Sequence, residues 1–210
     1  MSDLAGALRE PWPNLRLQRE GVGVGLWLFL ASEVLFFGGL FATYTIYRSL
    51  NAEAFRIAGE HTEIIYGSIN TVLLLTSSLT ITVALRAATL QLRALTLRCL
   101  AITAALGFAF LVCKGLEYHG DLEEHLVPGP RFPLSPPATQ IFWGLYWIMT
   151  GIHAIHLSAG IAVVLVVFTL FQRRVIPVQG STMEGVAIYW HFVDSVWVVL
   201  YPLIYLMGRS

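Results

Sequence analysis

The sequence predicts an all-α, polytopic membrane helix bundle with five transmembrane helices. Composition is the first observation, since 56% of the 210 residues are hydrophobic and only 12% are charged, whereas soluble domains carry about 25% charged residues. The second is a mean hydropathy of +0.69. The third is a set of apolar runs of about 20 residues or more, which is the length needed to cross a bilayer. The net charge of zero gives no indication of nucleic-acid binding.

Five spans are predicted, in the ranges 22–47, 64–85, 94–116, 139–171 and 185–207. Each is predicted to be helical, because an open strand cannot satisfy its backbone hydrogen bonds in lipid. The fourth span is longer than the bilayer requires and is expected to tilt or protrude, and Pro202 predicts a kink near the end of the fifth. Together the spans form one predicted transmembrane domain, residues 22–210, preceded by a cytoplasmic N-terminal arm, residues 1–21.

The distribution of cationic residues predicts the orientation. Eight arginines lie in the arm and in the links that follow the second and fourth spans, and five basic residues lie on the other side. The positive-inside rule therefore places the N-terminus in the cytoplasm and the C-terminus outside. The arm has no apolar core of the kind found in cleavable signal peptides.

One connection between spans is long. Residues 117–138 contain Asp121, Glu123 and Glu124 and then five prolines. This density of proline forbids a continuous helix, so we expect an ordered external loop that lies on the bundle.

Glu33 is an ionisable group near the middle of the first span. A carboxylate at that depth costs a few kcal/mol, roughly 2.5 to 3.5 for Asp on insertion scales. One interpretation is a carboxyl that hydrogen-bonds a neighbouring helix and holds the bundle together. The other is a protonatable group on or near a proton route, because an acid inside a membrane is by default a functional-site hypothesis. The residues alone favour neither.

His153 and His156 are three residues apart, so they share a helix face. Such a pair is a candidate for metal or haem ligation, or for neutral imidazoles hydrogen-bonded between helices or to lipid headgroups. A metal would need a third ligand, for which His191 is the candidate histidine. The sequence has no HExxH motif, and its two cysteines, Cys99 and Cys113, fall in one apolar segment. We therefore predict no metal site and no catalytic residue in this chain.

Further polar groups lie at the end of the third span and within the fifth. Lys114 and Glu117 are one helical turn apart, and an exposed ion pair worth about 0–1 kcal/mol is expected there. His191 and Asp194 are three residues apart in the fifth span, where an acid needs a partner, for which His191 and Ser195 are the two candidates. Aromatic residues near the span ends are expected to be interfacial anchors, among them Trp12, Tyr66, Tyr118, Tyr146, Trp147, Tyr189 and Trp190.

Four ordered motifs carry a resemblance to a known family. They are SEVLFFGGLFATY at residues 32–44, KGLEY at 114–118, TGIHAIH at 150–156 and YWHFVDSVWVVLY at 189–201. In this order they are similar to subunit III of the haem–copper terminal oxidases, and the resemblance covers nearly all of the chain after residue 22. The chain resembles the short five-helix bacterial form, which lacks the two N-terminal helices of seven-helix members. In the longer members those helices form a cleft that holds phospholipid, so another subunit or lipid is expected to occupy that space here.

The resemblance implies a non-catalytic subunit of a proton-translocating oxygen reductase in the bacterial cytoplasmic (inner) membrane. Subunit III of this family holds no cofactor of its own, and haem and copper are expected in the partner subunits. The expected partners are subunit I, which packs directly against subunit III and holds the redox centres and proton channels, subunit II, and a small subunit IV. The implied role is to stabilise subunit I, to sustain proton uptake from the cytoplasmic side and to protect the centre from inactivation during turnover.

The same resemblance assigns expectations to individual residues. Glu33 matches the carbodiimide-reactive intramembrane carboxyl of the family. The expected structural polar network consists of Glu117, His153, His156, His191 and Asp194. Phospholipid headgroups are expected near Arg173, Arg174 and Trp190.

Three functions remain open from the sequence. They are the accessory subunit of a cytochrome c oxidase, the same role in a quinol oxidase, and the related helper of a nitric oxide reductase system. An independent transporter is disfavoured, because the spans show no repeat and no pair of broken helices. The chain has no electron-donor site, so its neighbouring subunits would distinguish the three.

Overall fold

The computed structural model describes residues 15–176, 178 and 180–207. The chain divides into two compact units, residues 1–38 and 39–210. Residues 1–14 of the predicted arm lie outside the described residues, and the chain is helical from Leu15. Residues 15–21 of the predicted arm are therefore helical.

The described residues form six α-helices and one π-helical turn. These are α1 Leu15–Leu50, α2 Ala52–Glu60, α3 Ile64–Thr89, α4 Arg93–Glu123, α5 Thr139–Gln172, α6 Gly180–Tyr201 and the π-helical turn Pro202–Leu206. Five of the helices in this part of the chain are long and apolar enough to cross a membrane, and it contains no strand. The predicted fold class, an all-α bundle with five membrane spans, is confirmed.

The first unit contains the beginning of α1, which presents large apolar side chains on its surface. Trp27, Leu28 and Leu35 expose 67%, 67% and 77% of their surface. Because lipid tails are as apolar as these side chains, such exposure is not penalised inside a bilayer.

In the second unit, α3, α4, α5 and α6 pack side by side. The most extensive contact is between α3 and α4, and the pairs α3–α6, α4–α5 and α5–α6 complete the bundle. Glycines permit close approach, because a Cβ atom at Gly107 would lie 2.9 Å from the Trp190 ring and one at Gly67 would lie 3.0 Å from the Tyr201 ring. Small residues at helix interfaces are typical of membrane bundles, and here Gly107 leaves space for the buried Trp190 indole.

The short helix α2 is not predicted by the hydropathy pattern. Its buried Phe55 ring packs edge-on against Tyr44 and Phe142, with ring centroids 5.4 and 5.5 Å away. On its exposed face, Arg56 hydrogen-bonds Glu53 and places a positive charge beside it, which lowers the pKa of the Glu53 carboxyl. This helix docks on α5 and so fixes the connection between the first two spans.

The third span continues about two turns further than predicted. A loop was expected from Glu117, but α4 ends at Glu123. Its added turns bury Glu117 and Asp121 inside the bundle, where both acids contact the Tyr146 hydroxyl and Glu117 pairs with Lys114. These contacts offset the cost of burying the two acids. The proline-rich loop is confined to residues 124–138, and Trp147 Nε1 donates a hydrogen bond of 3.0 Å to the Leu126 carbonyl, which anchors the loop to α5.

Helices α3, α4 and α5 end in the same way. Gln91, His125 and Arg174 have φ values of 58°, 59° and 58°, in the left-handed region that glycine adopts most readily. The next amide then donates to the carbonyl five residues back, as Leu126 does to Asp121 at 2.9 Å. This is the Schellman motif, so hydrogen bonds within the chain set the ends of these three helices.

The last span begins earlier than predicted, at Gly180 in place of Gly185. At Pro202, where a kink was predicted, the helix changes to a π-helical turn, because proline has no N–H to continue the α-helical pattern. The hydroxyl of Tyr44 donates a hydrogen bond of 2.7 Å to the Leu203 carbonyl in this turn. The irregular backbone is thus partly satisfied by a side chain, as a lipid environment requires.

Candidate functional site

The most polar part of the interior is a cluster of ionisable residues on one face of α4. Lys114, Glu117 and Asp121 follow one another at helical spacing and are exposed by only 2%, 3% and 5%. Lys114 Nζ lies 3.0 Å from Glu117 Oε2, an ion pair that lacks the alignment of a hydrogen bond. The expectation of an exposed pair at the membrane edge was wrong, because the helix does not end here and this face turns toward the other helices.

Two tyrosines from other elements complete this cluster, which we call the Lys114 cluster. Lys114 Nζ donates hydrogen bonds to the hydroxyl of Tyr146 on α5, at 3.1 Å, and to that of Tyr205 in the π-helical turn, at 2.7 Å. The Tyr205 hydroxyl lies 2.6 Å from Glu117 Oε1. The Tyr146 hydroxyl lies 2.9 Å from the same oxygen and 2.6 Å from Asp121 Oδ2. Tyr146 was expected to be an interfacial anchor, but it is buried because its hydroxyl joins two acids and a lysine.

Aromatic rings enclose the lysine of the cluster. Lys114 Nζ lies 4.6 Å from the centroid of the Tyr146 ring, 5.0 Å from that of Tyr118 and 5.4 Å from that of Tyr205. Ring faces attract cations at such distances, so the charge is stabilised by dipoles and quadrupoles where water is excluded. The arrangement joins three elements through one cation and can hold and share protons.

The two histidines of the fourth span do not act together in the structure. The buried His153 ring lies between Phe110 and Trp197, with centroid distances of 5.6 and 5.2 Å, and its nitrogens have no hydrogen-bond partner among the described residues. His156 Nδ1 is 2.9 Å from the Ile152 carbonyl of its own helix. In the part of the chain that the structure describes, no three His, Cys, Asp or Glu side chains converge on one point.

A row of polar contacts joins α3 to α6. From one end to the other, the pairs are Ser68–Tyr201 at 2.8 Å, Thr71–Trp197 at 3.1 Å, Ser77–Trp190 at 3.0 Å and Ser78–His191 at 2.7 Å. His191 Nε2 also lies 3.3 Å from the Thr82 hydroxyl. Sequence reasoning singled out His191 but missed its partners. The sequence feature that could have identified these partners is a line of serine and threonine residues at helical spacing on α3, which is otherwise apolar.

Asp194 lies on the same side of α6 but is not paired as predicted. Its carboxylate is 5% exposed, and the Ser78 hydroxyl faces it without meeting hydrogen-bond geometry. His191 hydrogen-bonds Ser78 and not the carboxylate. Of the predicted polar network, Glu117 and His191 therefore bond across helices with their side chains. His156 does so through its backbone carbonyl, which accepts a hydrogen bond from Tyr189.

The remaining predicted site residues belong to other parts of the chain. Glu33 belongs to the first unit, within the first span, and is partly exposed. Arg173 and Arg174 are exposed at the end of α5. Trp190 is only 1% exposed and donates its indole N–H to Ser77, a position inside the bundle that does not fit the expected lipid contact.

Comparison with known proteins identifies relatives that match this chain over most of its length. The sequence profile described as cytochrome c oxidase subunit III matches residues 14–209. Cytochrome c oxidase subunit 3 of Thermostichus vulcanus is 35% identical over 193 residues, covering 89% of this chain and 87% of the relative. The protein of the same name from Corynebacterium diphtheriae is 33% identical, covering 88% and 87%. Cytochrome bo(3) ubiquinol oxidase subunit 3 of Pseudomonas aeruginosa is 29% identical, covering 88% and 84%. The chain belongs to the cytochrome c oxidase subunit III family.

Proposed function

We propose that this chain is the non-catalytic subunit III of a proton-translocating haem–copper oxygen reductase, in which it stabilises subunit I and supports proton uptake. The observation that carries the proposal is the family match over residues 14–209. Haem and copper belong to partner subunits in this proposal. Subunit I contacts the chain directly, and subunit II and a small subunit IV complete the complex.

The interior of the bundle supports a structural role. Glu117 and His191 join helices through side-chain hydrogen bonds, and the His153 ring fills an aromatic pocket. In lipid there is little hydrophobic drive to hold helices together, so packing and interhelical hydrogen bonds determine their association. The polar residues then keep the subunit rigid against a larger partner and take no part in oxygen chemistry.

The surface supports contact with lipid. Arg173 and Arg174 are exposed beyond the end of the fourth span, where cationic side chains can meet anionic lipid headgroups. Glu33 serves in this proposal as a protonatable intramembrane carboxyl. The excess of arginine on one side favours a cytoplasmic N-terminus in the bacterial inner membrane.

The electron donor of the complex is proposed to be cytochrome c, with quinol as the second candidate. Relatives named for both kinds of oxidase match this chain, at 35% identity for a cytochrome c oxidase and 29% for a ubiquinol oxidase. A subunit II with a two-copper motif would indicate cytochrome c as the donor.

Affinity purification in mild detergent tests the proposal. With a tag on this chain, we expect a complex with a visible haem spectrum that contains subunits I and II by mass spectrometry. The matched control is the same tag on an unrelated five-span protein. A strain that lacks the chain should still reduce oxygen but lose activity sooner during turnover. Recovery of the chain alone, or with a prosthetic group of its own, would contradict the proposal.

A further inference from the structure

The Lys114 cluster contains more short oxygen–oxygen contacts than its hydroxyl protons can serve. The Tyr146 hydroxyl lies 2.6 Å from Asp121 Oδ2 and 2.9 Å from Glu117 Oε1, and the Tyr205 hydroxyl lies 2.6 Å from Glu117 Oε1. All three distances are of hydrogen-bond length, and each contact made as a separate two-centre hydrogen bond needs one hydrogen between its two oxygens. Two tyrosines supply two hydrogens, because a phenol has a single O–H. Three contacts therefore require one proton more than the tyrosines carry.

Lys114 cannot supply the missing hydrogen. Its ammonium group donates to the two tyrosine oxygens, and neither donation places a proton between Tyr146 and an acid. Each hydroxyl oxygen can accept the lysine hydrogen and still donate its own. The third proton must then reside on a carboxyl group, Asp121 or Glu117.

The charges near the two acids indicate which of them holds the third proton. Glu117 Oε2 lies 3.0 Å from Lys114 Nζ, so its carboxylate form is paired with a cation. Among the described residues, no ion pair within 4.0 Å involves Asp121, and this side chain is almost fully buried. A buried unpaired carboxylate is costly. With Asp121 neutral, the cluster has one positive charge, on Lys114, and one negative charge, on Glu117, so its net charge is zero.

We propose that Asp121 is a buried proton-binding site, a neutral carboxylic acid that donates to Tyr146, which donates in turn to Glu117. All three oxygen–oxygen contacts then hold one hydrogen each. Asp121 acts here as the donor at the end of a chain of hydrogen bonds, a role that an acid can fill only while it holds its proton.

The other polar groups around the cluster do not provide the missing proton. On α4, the Tyr118 hydroxyl pairs with the Thr150 hydroxyl of α5 at 2.7 Å. On α5, the buried His153 packs against Phe110 and Trp197. The exposed Glu123 lies 3.4 Å from His119 and faces away from the interior. The site is therefore formed by the five residues of the cluster, and it does not depend on which oxidase the chain serves.

Infrared spectroscopy of the purified oxidase complex tests the proposal. The spectrum of the wild-type complex minus that of Asp121→Asn should show a carboxylic acid C=O band, and this band should shift when the wild type is grown with carboxyl-¹³C aspartate. The matched control is Glu123→Gln, whose difference spectrum should show a carboxylate band only. A carboxylate band and no acid band in the Asp121→Asn difference spectrum would overturn the proposal.

A second variant keeps the test decisive if Asp121→Asn does not assemble. Tyr146→Phe removes the hydroxyl that accepts from Asp121, so the acid band should move to the position of a less strongly hydrogen-bonded carboxyl while remaining sensitive to aspartate labelling. Changes confined to carboxylate bands in that variant would mean that Asp121 is ionised, and the proposal would fail.

Discussion

Replacing Lys114 with methionine should destabilise the bundle strongly. Methionine keeps most of the side-chain length but removes the hydrogen bonds to Tyr146 and Tyr205 and the ion pair with Glu117. Glu117 is only 3% exposed, so its carboxylate would be left buried without a neighbouring cation. Breaking a buried pair in this way typically costs about 3–5 kcal/mol. Since each 1.4 kcal/mol is a factor of ten, opening of this region should become roughly 100- to 4,000-fold more frequent.

The buried thiol of Cys99 on the same helix measures this opening. Its residue is 7% exposed, so a thiol reagent modifies it when α4 opens, and mass spectrometry of the intact complex follows the labelling rate. The matched control is Arg56→Met, which also removes a basic residue beside two acids, but at an exposed site where such pairs contribute about 0–1 kcal/mol. Equal labelling rates in the two variants would refute the view that burial makes the Lys114 pair important. The double variant Lys114→Met with Glu117→Gln should recover part of the loss, because no charge is then stranded.

Three other predictions use the same complex. Gly107→Ala should destabilise the bundle by about 1–3 kcal/mol, the usual cost of overpacking, because the added methyl would lie 2.9 Å from the Trp190 ring. Gly115→Ala, with open space around the added methyl, should leave the rate of Cys99 labelling unchanged. His125→Gly should slow Cys99 labelling about fivefold, because glycine relieves a left-handed φ worth about 1 kcal/mol; an unchanged rate would show that this helix end stores no strain. Glu33→Gln should assemble normally and change proton pumping little, as measured by acidification per oxygen reduced in vesicles, and complete loss of oxygen reduction would favour a direct proton role over a stabilising one.

The spans could be predicted because lipid makes hydropathy informative. A bilayer requires about 20 apolar residues and a helical backbone, so the five long helices follow from composition and run length. The ends of the helices were less predictable. Residues 117–123 resemble a loop because charge accumulates there, yet they continue α4 because Glu117 and Asp121 face inward. The spacing of residues 114, 117 and 121 could have indicated that the helix continues, since it places all three on one helical face.

The contacts of the polar residues could be predicted less well than their presence. His191 and Asp194 stand out as polar groups in a span. Only the packing of α6 on α3 shows that His191 hydrogen-bonds Ser78 and that His191 and Asp194 do not pair with each other. For Trp190, the sequence predicted a position at the membrane interface, but the side chain is buried. An indole near a span end is typical of an interfacial anchor, and this one is buried because Gly107 leaves space for the ring.

The motifs that carry the family resemblance are also the ones that join the helices. KGLEY supplies Lys114 and Glu117 to the buried cluster, and YWHFVD supplies Trp190 and His191 to the contacts with α3. An accessory subunit that holds no redox centre still needs these groups, because in lipid the order of its helices depends on specific contacts more than on hydrophobic burial. Substitutions in these motifs should therefore release the subunit from the complex before they alter the oxygen chemistry of the partner.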